Sequence, residues 1–153
     1  MPRESYQSQL ETLRSDVDEM ADLVLERYAQ ALEAYETGDR ELAKAVIEGD
    51  HEINSLYLDL ESDCIDLFAL QQPVASDLRF IASSFKIVTD LERVGDLATN
   101  LAEYSLAPEG EPHSAIDLGE LGDRAGEMLD DAMDAYVEAD ADEIGRASCR
   151  ERV

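Results

Sequence analysis

The stretch "LRFIASSFKIVTDLERVGDLATN", residues 78 to 100, decides the fold. Leu78, Ile81, Phe85 and Val88 recur every three or four residues, the signature of one buried face of an α-helix. The next two positions in that series are Glu92 and Gly95, with Asp96 one turn after Glu92. An inward face that carries a carboxylate and then a glycine is a packing seam with chemistry on it. An acid there is costly unless a metal, a base or a proton neutralises it. Gly95 marks close backbone approach, because glycine within a helix costs about 1 kcal/mol relative to alanine.

The same spacing extends in both directions. Residues 5–36 place Leu10, Leu13, Val17, Met20, Val24 and Ala31 on one stripe and stop at "TGD", residues 37–39. Residues 39–70 place Leu42, Val46, Ile53, Leu56, Leu60 and Leu67 likewise. Pro73 cannot continue a helix, and Ser76 or Asp77 is positioned to cap a third one running to Tyr104. Each rod is about 45 Å long at 1.5 Å per residue. Three such rods joined by short turns bury their seams by packing antiparallel, so the expected fold is all-α, an up-down-up three-helix bundle.

A fourth helix is expected over residues 114–138. "ALEAYETGD" at 31–39 returns 101 residues later as "AMDAYVEAD" at 132–140, so this helix reads as the first of a second, incomplete bundle. The expected organisation is a first three-helix repeat over residues 1–108 and a linker with one further helix over 109–143. Residues 144–153, "IGRASCRERV", lose the apolar spacing and gather three of the twelve basic residues, so they read as a non-native or read-through tail.

Composition narrows the function. The 153 residues carry 37 acids against 12 bases, a net charge of −25, which repels nucleic-acid phosphates and anionic lipid and leaves proteins or cations as partners. Only Lys44 and Lys86 are lysines, a skew that matches the acidified surfaces of salt-loving organisms. No run of about 18 apolar residues and no signal peptide occurs, so membrane insertion is not expected and the cytoplasm is the expected location. Cys64 and Cys149 make no disulfide framework, and Cys64 reads as a core residue.

Helix two offers Glu92 and Asp96 a partner. Asp50 lies between the seam positions Val46 and Ile53, with Asn54 one turn on and His51 beside it. Antiparallel packing would gather the oxygens of Asp50, Asn54, Glu92 and Asp96 into a candidate metal site suited to Mg, Mn, Fe or Zn. The competing reading pairs Glu92 with an arginine such as Arg79 or Arg93. No catalytic residues and no organic cofactor are indicated. The one Glu-x-x-His, Glu48 with His51, falls short of the two that a di-iron bundle needs.

Three stretches, "LAKAVIEGDHEIN" at 42–54, "QQPVASDLR" at 71–79 and "TDLERVGDLATN" at 89–100, resemble the PhoU family of phosphate-uptake regulators. The resemblance implies a non-enzymatic protein that negatively controls the phosphate ABC transporter and the phosphate-starvation response. Its implied partners are the transporter's ATPase subunit and a sensor histidine kinase, and it implies a homodimer or other homo-oligomer. It also implies metal sites built on Glu/Asp-x-x-x-Asp pairs, mapping onto Glu92 and Asp96 and more loosely onto Asp50 and Asn54, where Asn54 replaces an acid. The second repeat's motif is not in this chain. Two alternatives remain: a ferroxidase-like metal-handling bundle, and a structural adaptor in which arginines meet the seam acids.

Overall fold

A computed structural model describes residues 2–107 and 117–138. Five helices are present there and no strand: α1 Pro2–Thr37, α2 Arg40–Glu48, α3 Asp50–Gln71, α4 Ala75–Leu106 and α5 Leu118–Glu138. None is long and apolar enough to cross a membrane. Residues 144–153, with Cys149, and the expected first turn of the fourth helix at 114–116 lie outside the described residues.

α1, the α2–α3 pair and α4 pack as the expected up-down-up bundle. All six residues of the α1 stripe are buried, along with Val46, Ile53, Leu60, Cys64 and Leu67 from α2 and α3. Burial pushes the Cys64 thiol up to about 11, so it behaves as a small apolar core residue. One end of the bundle is built from small side chains: Ala31, Ala34, Ala43, Ala98 and Ala102 meet there around Val46. At the other, Leu13, Val17, Met20, Leu67 and Ile81 fill the core. Arg14 lies over the Phe80 ring at 4.9 Å from its centroid, joining α1 to α4 at that end.

Three expectations need correction. Helix two is broken at Gly49, which ends α2 and starts α3. The Arg27 guanidinium crosses here, so close that a Cβ on Gly49 would lie 2.8 Å from Arg27 Cζ. Arg27 then pairs with Glu52 at 2.8 Å on the α3 side of the break. Ser76 and Asp77 do not cap α4; Val74 holds that position without a side-chain hydrogen bond, after Gln72 takes the left-handed φ of 44° at the end of α3. Asp77 sits inside the first turn, where its charge complements the helix dipole. Finally, the α4 seam runs Ile81, Ser84, Val88, Leu91, Gly95, Ala98 and Ala102. Leu78 is exposed, and Phe85 and Glu92 lie beside the seam rather than on it. The TGD stop is as expected, with Asp39 Oδ1 accepting from the Glu41 and Leu42 amides at 3.1 and 3.0 Å.

α5 folds back along α1. Its Met133, Ala135 and Tyr136 are buried, in the same phase as Leu32, Ala34 and Tyr35 of the internal echo. Tyr28 donates from its hydroxyl to the Gly122 carbonyl at 2.7 Å. The backbones of α4 and α5 stay apart and leave an apolar groove of about 780 Å³ between them. Tyr136 spans the gap: its ring stacks on Phe80 with centroids 5.8 Å apart, and its hydroxyl meets Ser84 Oγ at 2.7 Å. Ser84 also donates to the Phe80 carbonyl, so the hydroxyl pair is satisfied in the core. Tyr136→Ala removes both contacts and is expected to lower unfolding free energy by about 3–5 kcal/mol, as for a buried aromatic. Urea denaturation measures the loss, and amide exchange should show α5 released before α1 and α4.

Candidate carboxylate cluster

The α3–α4 contact positions the cluster. A Cβ on Gly95 would lie 3.1 Å from both Cδ1 and Cγ2 of Ile53, so the glycine lets α4 run directly against that side chain. Asp50 precedes Ile53 by three residues, and Glu92 precedes Gly95 by three. Because the helices are antiparallel, Asp50 faces the later turn of α4, where Thr99 lies. Thr99 donates from its hydroxyl to Asp50 Oδ1 at 3.1 Å, and Asn54 donates from Nδ2 to Asp50 Oδ2 at 3.3 Å. Asp50 thus faces α4 with both oxygens engaged and does not cap α3.

Glu92, Asp50, Asn54 and Thr99 are half-buried and Asp96 is exposed. Burial, then the charge of Asp96, then that of Asp50, pushes the Glu92 carboxyl above its ordinary value of 4.5; neighbouring Arg93 opposes the shift. Glu92 and Asp96 come within hydrogen-bonding reach, which two carboxylates can use only by sharing a proton, since both ionised forms are acceptors.

Glu92 and Asp96 thus form one pair on α4, Asp50 and Asn54 form a second on α3 whose charge reaches Glu92, and sequence reasoning missed Thr99. Its signal was its place on the carboxylate side of α4, one turn after Gly95. His51 does not join them. It is exposed and its Nδ1 donates to the Glu48 carbonyl at 2.7 Å, closing the helix break. The arginine pairing with Glu92 is not formed: Arg93 reaches Asp90 at 3.9 Å, and Arg79 lies thirteen residues earlier on α4, about 20 Å along the axis. Among the described residues, no three His, Cys, Asp or Glu side chains are close enough to share one metal ion as they stand. The oxygen-only donors suit a hard cation, and the unneutralised charge at Glu92 is the feature such an ion would relieve.

A family profile described as the PhoU domain matches residues 17–105, which takes in the whole cluster. The phosphate-specific transport system accessory protein PhoU of Escherichia coli is 34% identical over 143 residues, 92% of this chain and 59% of the relative. The Clostridium acetobutylicum homolog is 37% identical over 145 residues, 93% of this chain and 66% of the relative. The crystal structure of the phosphate transport system regulatory protein PhoU from Streptococcus pneumoniae superposes with a TM-score of 0.87 at 30% identity. That match covers 96% of this chain and 70% of the other. The chain thus spans about three fifths to two thirds of the curated relatives' lengths.

Two outcomes follow from the cluster. A carboxyl whose folded-state pKa is raised stabilises the fold below its unfolded pKa and loses that contribution as pH rises through the folded value. In chelator-treated protein Glu92→Gln should therefore raise the urea midpoint at pH 7, and the gain should vanish as pH falls below the ordinary carboxylate range. Equal midpoints at pH 7 would show that Glu92 carries no uncompensated charge. Gly95→Ala gains about 1 kcal/mol of helix propensity but overpacks Ile53, at a cost of about 1–3 kcal/mol. With Ile53 fully buried the net effect is destabilising, and adding Ile53→Val should recover part of the lost midpoint.

Proposed function

Because the chain belongs to the PhoU family, we propose that it is a non-enzymatic regulator of phosphate uptake. In this reading it restrains the phosphate ABC transporter and the phosphate-starvation response when phosphate is ample, acting in the cytoplasm through the transporter's ATPase subunit and a sensor histidine kinase. The observation that supports the site is half-buried Glu92 beside Asp96, with the charge of Asp50 reaching it from α3. Asp50, Asn54, Glu92 and Asp96 would hold a divalent cation or iron, with Fe, Zn, Mg and Mn all compatible with oxygen donors. Such an ion supplies positive charge that attracts further carboxylates or phosphate. The chain's own residues orient the donors: Thr99 fixes Asp50, and the Ile53–Gly95 contact fixes the spacing of α3 and α4. A homo-oligomer belongs to the same proposal.

The regulatory reading is tested in phosphate-replete Escherichia coli lacking its own family member. Expression of the chain should silence a phosphate-starvation reporter, and a reporter that stays on while folded chain accumulates would overturn the proposal. The metal reading is tested separately by titrating Mn²⁺ or Zn²⁺ into chelator-treated protein. An ion at about a hundred times its Kd adds about 2.7 kcal/mol of stability. Wild type should therefore rise in Tm by several degrees and Glu92→Gln/Asp96→Asn should not; equal shifts in both would remove the ion from this site.

A further inference from the structure

Five large apolar side chains stand exposed in succession: Leu58 (60%), Ile65 (53%), Leu70, Val74 and Leu78 run down α3, round the turn and onto α4. α1, with its 36 residues, shows none among those described. On α3, Leu58, Ser62, Ile65 and Ala69 recur at four-three-four spacing and so share one face. All four are exposed and none is charged, in a chain whose net charge is −25.

Acids flank this face on the side nearer α1. Asp63 and Asp66 line a furrow of about 410 Å³ between α1 and α3, with Asp16 opposite them and Leu70 at its rim. Asp16, Asp59 and Asp66 all act on Asp63, and none of these four takes part in an ion pair among the described residues. An apolar seam with an unneutralised acidic edge calls for a matching partner: apolar side chains on one face and bases along one edge. A second copy of this chain does not supply that match. Two α3 faces paired antiparallel about a two-fold axis set the Asp59–Asp66 edge against itself, and like charges at that spacing repel.

We propose that the outer face of α3 and the furrow beside it dock an amphipathic helix of another protein, its leucine-type seam on Leu58 and Ile65 and its arginines or lysines facing Asp16, Asp63 and Asp66. This surface is separate from the Asp50–Glu92 cluster, and the inference holds whether or not that cluster takes a cation.

The test uses a fluorescent peptide of about five helical turns built from leucine and lysine in amphipathic order, beside a scrambled peptide of the same composition. Anisotropy should show the amphipathic peptide binding wild type at least about tenfold tighter than the scrambled one. Leu58→Gln/Ile65→Gln should abolish that preference without changing Tm, because both side chains are exposed. Asp63→Asn/Asp66→Asn should weaken binding and flatten its salt dependence. Equal binding of both peptides to wild type, or a preference that survives Leu58→Gln/Ile65→Gln, overturns the proposal. Sedimentation showing a wild-type dimer that Leu58→Gln/Ile65→Gln abolishes overturns the choice of occupant.

Discussion

The contact of Ile53 with the bare backbone at Gly95 sets the distance between α3 and α4, and the acidic cluster depends on that distance. An alanine there would push α4 off Ile53, whose side chain is fully buried and has little room to give. Asp50 and Glu92 lie one turn before the two contacting residues on their own helices. In antiparallel rods those positions fall on opposite sides of the contact, so Asp50 meets Thr99 while its charge still reaches Glu92. The packing leaves acids on both flanks of an apolar contact that is indifferent to their charge.

That arrangement is tolerable because the acids occupy the edge of the seam. Glu92 keeps partial access to water, and Asp50 receives hydrogen bonds from Thr99 and Asn54 that stand in for lost hydration. What remains uncompensated is the charge of Glu92 beside Asp96 and Asp50, seen in its raised pKa. A proton or a cation each removes it, and they compete for the same oxygens. Ion binding at such a cluster weakens as pH falls, by the same linkage that raises the pKa.

The sequence made the apolar periodicity legible because burial of a stripe follows directly from spacing. Leu10, Leu13, Val17, Met20, Val24 and Ala31 in α1 are buried as a set, and within the echo Met133 and Ala135 are buried like Leu32 and Ala34. What spacing does not encode is which side of a stripe faces which neighbour. The expected series and the buried seam share Ile81, Val88 and Gly95, but between them the seam takes Ser84 and Leu91 where the series took Phe85 and Glu92, one residue round the helix. The space at Gly49 is taken by Arg27, twenty-two residues away, and buried Ser84 meets a Tyr136 hydroxyl from α5 as well as the Phe80 carbonyl. That the Asp50 charge reaches Glu92 was legible, whereas the Thr99 hydroxyl and the turning away of His51 were not. Both are side-chain choices made after the helices meet.

The distribution of side-chain size links the two surfaces. Helices approach more closely where small residues face each other, and the alanines at 31, 34, 43, 98 and 102 draw α1, α2 and α4 together at one end. Gly95 lies one turn before Ala98 on the same seam, so the cluster borders the end where small residues meet. Toward the other end Met20, Leu67, Ile81 and Phe80 are bulkier, and the α1–α3 furrow beside Asp63 lies there. The alanine-rich end thus borders the acidic cluster, and the end with larger aliphatic residues carries the outer face of α3 with its acidic margin.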